Sequence, residues 1–204
     1  MATNKIILHG GGDHARVVLD CVFAQGHDVV SIYDPKYHGE LYGIPLRGKY
    51  DPHKDEDAHA IVAIGDNALR KKVVETMKHP FANAIHPSAI ISPFATLGKG
   101  NMLLQGAIIQ AQTKIGNQVI INTGSQIDHD CLIGDYAHIG PGVILCGNVQ
   151  VGEGSFIGAG STVIPGKKIG AWTIVGAGSV VINDIPDFAV VVGNPGRVIK
   201  YANR

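Results

Sequence analysis

His129 is followed directly by Asp130, and this adjacent pair is the sharpest piece of chemistry in the chain. A neutral imidazole can take a proton near pH 7, and a carboxylate beside the ring favours the imidazolium that results, which raises the pKa. The plainer reading is an exposed turn histidine with a solvated acidic neighbour, and the pair alone fits both. A second feature is Gly10-Gly11-Gly12 followed by Asp13-His14, placed between an apolar run and a helical pattern. Glycines there let backbone N–H groups approach a phosphate at a helix N-terminus. The order is not G-x-G-x-x-G, so no dinucleotide fold is expected, and both a phosphate site and a structural turn fit. Cys21, Cys131 and Cys146 are odd in number and lack a paired spacing. They fit a reducing compartment and read as small apolar fillers rather than ligands or nucleophiles. A zinc centre would need three convergent histidines; His129 and His138 lack a close histidine pair and a third partner, so no metal is expected.

The elements that must position these residues are set by a repeat. From Ile91 to Val181 an aliphatic residue falls at every sixth position, sixteen times in succession. Neither the helical period of 3.6 nor strand alternation produces this regularity. Glycine often follows the aliphatic residue, as at Gly98, Gly116, Gly134, Gly140 and Gly152. Four places after it the side chain is usually small, as with Ala107, Ser125, Cys131, Ala137 and Ser155. Each hexad is thus a short strand ending in a tight turn, with the aliphatic residue inside. Three hexads close one triangular coil of 18 residues, so the run makes a little over five stacked coils. Gly147, 18 residues after His129, then lies one coil further along the same corner, whereas His138, nine residues on, lies half a coil away.

Residues 1–85 do not share the six-residue period. Lys5–His9, Val29–Tyr33 and Ala60–Ile64 read as strands, and Ala15–Gln25 and Ala68–Lys78 as helices, which argues a small parallel α/β sheet. Pro87 marks the passage into the second unit, residues 86–204. Seventeen basic residues balance seventeen acidic ones in a chain of 204, leaving no net field for nucleic acid or an anionic membrane. Aromatics make up only 6%, against 27 glycines, which suits tightly turned coils better than a bulky core. No basic leader with an apolar stretch is visible, and no run approaches the ~18 apolar residues of a membrane span, so a cytoplasmic location is expected.

The turn Gly10-Gly-Gly-Asp-His-Ala15, the segment Ala63-Ile-Gly-Asp-Asn67, the junction Ala84-Ile-His-Pro-Ser-Ala89 and the hexad run occur here in one order. Together they resemble the sugar O/N-acyltransferases typified by sialic acid O-acetyltransferase and the nucleotide-amino-sugar N-acetyltransferases. The resemblance covers nearly the whole chain, through Val192-Gly-Asn-Pro-Gly-Arg197, and no extruded loop interrupts the repeat. It implies a left-handed parallel β-helix, although the general preference for right-handed crossovers points the other way. Within the family, Asn122-Thr123 and Asp128-His129-Asp130 are similar to N-acetyltransferases acting on UDP-linked 4-amino-4,6-dideoxy sugars. The resemblance further implies direct transfer from acetyl-CoA in a homotrimer with sites between subunits. His129 would be the general base, Asp130 would raise its basicity, and the Gly147 amide would serve as oxyanion donor. Gly12, Asp13 and His14 would hold the nucleotide, with Asp34 and Pro35 near the uridine and Gly65 near the phosphates or sugar. Some relatives have a second acid where Pro35 stands, which leaves the base contact open. His138 would reach a neighbour's cleft and contact acetyl-CoA, unless it is a surface histidine, and Ala159 and Ala177 would hold the pantetheine arm. Competing readings are a dTDP- or GDP-linked amino sugar as acceptor, O-acetylation of a sialic acid, and a non-catalytic sugar-nucleotide scaffold.

Overall fold

The computed structural model describes residues 4–202. The N-terminal unit is a five-stranded sheet flanked by two helices. Its elements are β1 (Lys5–His9), α1 (Asp13–Ala24), β2 (Asp28–Tyr33), β3 (Gly39–Leu41), β4 (Ile44–Arg47), β5 (His59–Val62) and α2 (Asn67–Val74), with sheet order β3-β4-β2-β1-β5. β1 pairs in parallel with both β2 and β5, so the strands' C-terminal ends share one edge, where His9, Tyr33 and Val62 stand level. The β3–β4 hairpin escapes sequence patterning because its strands are short and Pro45 interrupts one of them. Its turn is Tyr42-Gly43, both with positive φ. α2 stops at Val74 rather than running to Lys78. Thr76 and Met77 bond back only three residues, to Val73 and Val74, and the Thr76 hydroxyl also donates to the Val73 carbonyl at 2.7 Å. This tightened last turn closes the helix early.

The second unit is a left-handed parallel β-helix of triangular section. Three parallel sheets form its faces. Face I runs from Ile90–Ile91 to Val180–Val181, face II from Thr96–Leu97 to Lys168–Ile169, and face III from Ala84–Ile85 through the closing antiparallel pair Ala189–Val192 and Arg197–Tyr201. Register is constant up to the last coil: each strand pairs with those eighteen residues away, as Gln126-Ile127 does with Ile108-Ile109 and Ile144-Leu145. Only at the closing end does the offset fall to sixteen, where Ile174-Val175 meets Val190-Val191. Every sixth-position residue from Leu103 to Val181 is buried, forming one continuous aliphatic column. Ile91 and Leu97, at the open end, are only partly covered. The small corner residues are equally buried, and their hydroxyls tie coils together, as Ser155 does by donating to Gly170 O at 2.6 Å.

The N-terminal unit sits on face III and on the corner joining faces II and III. Its core continues into the β-helix through Ala84, Met102, Leu104 and Ile120. The column is the main source of stability, so Ile133→Ala, which removes three buried carbons, is expected to destabilise the protein by ~2–5 kcal/mol. Equilibrium urea unfolding of the two proteins measures this.

Candidate active site

The corner joining faces I and II carries His129. Asp130 beside it has φ +59°, as do its corner counterparts Gln112 (+61°) and Asn148 (+63°), so the turn swings its carboxylate back toward the preceding ring. His129 Nδ1 lies 2.8 Å from Asp130 Oδ2, and the His129 amide donates to Asp128 Oδ1 at 2.8 Å. The ring is half exposed. Its hydrogen bond to Asp130, followed by the charge of Asp128, holds the imidazole pKa above the ordinary value. A carboxylate only accepts, so Nδ1 carries the proton and the neutral ring presents a bare Nε2 outward. One coil along, Gly147 lies directly against the ring. A Cβ there would come within 2.7 Å of His129 Cε1 and Nε2, so only glycine leaves the ring in place. Gly147 accepts from Gly166 N, and its own N–H donates to no acceptor among the described residues.

A cavity of about 360 Å³ opens at the C-terminal edge of the N-terminal sheet. It is lined by all six residues expected to bind a nucleotide sugar: Gly12, Asp13, His14, Asp34, Pro35 and Gly65. Gly12 is the N-cap of α1 and supplies no side chain, so the helix's first N–H groups face this space. Gly10 has φ +108°, and a Cβ there would meet Ala63 O at 2.9 Å, which lets the turn hug β5. Asp34 has a role the sequence does not announce: its Oδ2 accepts from Gly11 N at 2.7 Å and its Oδ1 from Lys36 N at 2.8 Å. It shapes the glycine turn as well as lining the cavity. His9, Lys36 and Tyr37, not singled out in the sequence, also line it. His14 Nε2 is buried without a protein partner, and burial, then the charge of Arg70, lowers the His14 pKa to about 4.

His138 departs from expectation. It does not stand out toward a neighbour: the ring is nine-tenths buried under the chain's own N-terminal unit. Nδ1 lies 3.2 Å from Gly65 O, Nε2 lies 3.1 Å from Asn122 Nδ2, and Phe156 packs edge-on at 5.0 Å. Burial, then Arg70, pulls its pKa down to about 4. Arg70, in the lysine-rich turn of α2, is wholly buried although both its neighbours in the next two positions are lysines. Ala159 and Ala177 lie on the corner joining faces III and I, across face I from His129.

The cysteines divide. Cys21 and Cys131 are buried, and burial pushes their thiols up to about 12 and about 11. Cys146 is not a filler: it follows Leu145 in the outward position usually held by glycine, and it lines a shallow cavity with Asp128 and Gln126. Among the described residues, no group of three or more His, Cys, Asp or Glu is arranged to hold a metal ion, and no helix is long and apolar enough to cross a membrane.

Residues 5–77 match the family model described as PglD N-terminal domain, and residues 112–147 the model described as bacterial transferase hexapeptide (six repeats). The fold is similar to that of a histidine-to-alanine variant of GDP-perosamine N-acetyltransferase from Caulobacter crescentus, solved with CoA and GDP-perosamine. The TM-score is 0.93 and identity 40%, covering 98% of each chain. It is also similar to the acetyltransferase domain of PglB from Neisseria gonorrhoeae with acetyl coenzyme A, at TM-score 0.90 and 33% identity, over 97% of this chain and 100% of that one. UDP-N-acetylbacillosamine N-acetyltransferase of Bacillus subtilis is 39% identical over 110 residues, 49% of this chain and 51% of that protein. The chain spans about half or less of the length of the curated relatives it matches.

If Asp130 supports the His129 imidazolium, Asp130→Asn lowers the ring's pKa toward the ordinary ~6.5. An NMR titration of the His129 Cε1–H resonance, assigned with His129→Gln, reads the shift; an unmoved midpoint would show that the 2.8 Å contact does not set the ring's basicity.

Proposed function

The chain belongs to the hexapeptide-repeat sugar N-acetyltransferases, and from that premise we propose that it moves the acetyl group of acetyl-CoA onto the 4-amino group of a UDP-linked 4-amino-4,6-dideoxy sugar. The observation that carries the reading is the corner at His129: a ring fixed by Asp130, seated on a bare glycine, with one nitrogen free. His129 Nε2 takes the proton of the amine as its nitrogen attacks the thioester carbonyl. The oxygen of the tetrahedral intermediate receives the unused Gly147 N–H, and collapse expels the CoA thiolate, to which the imidazolium returns a proton. Positioned base catalysis contributes ~10²–10⁴ in rate and an oxyanion donor ~10²–10³. No acyl-enzyme is involved; the Cys131 thiol, held near 11, is neutral at pH 7.

Gly12, Asp13, His14, Asp34, Pro35 and Gly65 hold the nucleotide sugar, with phosphates against the N-terminus of α1. Ala159 and Ala177 hold the pantetheine arm by their backbones. His129 lies on the prism edge opposite face III, whereas the nucleotide cavity lies on the face III side. One chain therefore cannot bring its own base to its own nucleotide, and the site needs a second copy. Face I, between the His129 and Ala159 corners, exposes Ile90 and Ile144 and suits such an assembly, a homotrimer.

A second acceptor, a GDP-linked amino sugar, is favoured by the likeness to the perosamine enzyme over nearly the whole chain. Acetyl-CoA turnover against UDP-, dTDP- and GDP-linked 4-amino-6-deoxy sugars tests the reading. Turnover of a UDP-amino sugar that falls ~10²–10⁴-fold in His129→Ala is expected. Acetylation of free sialic acid alone would overturn it. Co-expression of His129→Ala with Gly12→Trp, which fills the nucleotide cavity, should restore turnover from two inactive variants, because mixed assemblies contain some intact composite sites. No restoration would argue for a site built within one chain.

A further inference from the structure

Arg70 is wholly buried at the seam between the two units, and its contacts are unusual for a buried cation. Nη1 donates to Ile64 O at 2.8 Å and Gly65 O at 3.3 Å. Nη2 donates to Asn67 Oδ1 at 2.8 Å and Tyr136 O at 2.6 Å, and Nε to Gln118 O at 3.0 Å. Three acceptors belong to the N-terminal unit and two to the β-helix, and none is a carboxylate. An unpaired buried charge is costly, so the planar five-donor fork is being used for its geometry.

The fork leads into an ordered chain of hydrogen bonds. Gly65 O, held by Arg70, also faces His138 Nδ1 at 3.2 Å. A carbonyl only accepts, so Nδ1 must carry the proton, and the state of Nε2 is decided by what faces it. On its other side, Asn122 Oδ1 accepts from Thr123 N at 2.8 Å, which turns the amide nitrogen toward His138 Nε2 at 3.1 Å. The polarity is thus consistent from end to end: Thr123 N–H to Asn122, Asn122 to His138, His138 to Gly65 O, and Arg70 to that same oxygen. A protonated His138 would set two donors face to face at Asn122. The chain begins at the residue lining the nucleotide cavity and ends at Thr123, eighteen residues before Pro141 and thirty-six before Ala159 on the same corner.

We propose that Arg70 is a positioning residue: by gripping Gly65 and the β-helix together, it fixes His138 as the neutral Nδ1–H form and keeps the nucleotide cavity in register with the corner bearing Ala159 and Ala177. The proposal rests on the functional reading above for the importance of those two places, but not for the state of the ring. The low His138 and His14 pKa values agree with the neutral form.

Nitrogen-15 NMR of the histidine rings in the full chain reads the form directly, with His138 assigned by His138→Gln and turnover measured on the same samples. The native protein should show a protonated Nδ1 and a bare Nε2 at pH 7. Arg70→Lys keeps a charge but not the fork; it should fold, show His138 as a mixture of the two neutral forms, and lose about tenfold or more in saturated turnover. Arg70→Met is expected to do the same where it folds. An unchanged His138 pattern in a folded Arg70→Lys protein overturns the proposal, whether or not turnover falls. A changed pattern with native turnover overturns the claim of register. If the native protein turns over no amino sugar, the functional reading fails on its own, and the ring pattern still decides whether Arg70 sets His138.

Discussion

The interior of a triangular prism admits one aliphatic side chain per strand, and everything else in the β-helix depends on that restriction. Because the column from Leu103 to Val181 is continuous, a slip of one residue in any coil would turn an interior side chain outward. Register is therefore held at eighteen residues as far as Val181, and each corner becomes a ladder whose rungs are known from sequence position alone. The stacking of His129 on Gly147 is a consequence of this ladder. The ring's seat is built by a core that never touches the reacting atoms.

The second constraint lies at the seam. Face III and face I both present apolar residues outward, among them Met102 and Ile120 on one and Ile90 and Ile144 on the other, yet only face III is covered by the N-terminal unit. The covering is specified by polar contacts as well as by area. Asn67 donates to Gly154 O and Ser155 O, Lys71 pairs with Glu153 at 2.7 Å, and Arg70 reaches the two preceding coils at Tyr136 O and Gln118 O. Lys71 also lies over the rings of Tyr136 and Trp172, at 5.7 and 5.5 Å. Apolar burial supplies most of the attraction, and directional bonds choose one docking pose among the many that area alone would permit.

Placing one unit on face III puts the nucleotide cavity and the proposed base on opposite sides of the prism. Under the proposed function the chemistry belongs to an assembly rather than to a chain, and the exposed aliphatic residues of face I become the surface on which copies would meet. This also accounts for the economy of the His129 corner. In that proposal it needs only a base, its carboxylate and a free amide, because substrate recognition would be supplied from elsewhere.

The hexad period, the strand–helix alternation of the first 80 residues, the adjacency of His129 and Asp130 and the distance to Gly147 were all legible in the sequence. Each depends on local periodicity or on chain neighbours. The glycine turn was legible as a strand–helix junction, and six residues of its cavity were named through the family resemblance, whereas His9, Lys36 and Tyr37 of the same cavity were not. What only the tertiary structure decided involves partners far apart in the chain: Arg70 with Tyr136, His138 with Gly65, and Asp34 bent back onto Gly11. Arg70 stands in a turn with two lysines and so reads as solvated, and His138 occupies an outward position that reads as exposed. A periodic pattern says which side of a strand faces out, but not which outward face a second unit will cover. That choice is made by the fit of two surfaces, and no spacing along the chain encodes it.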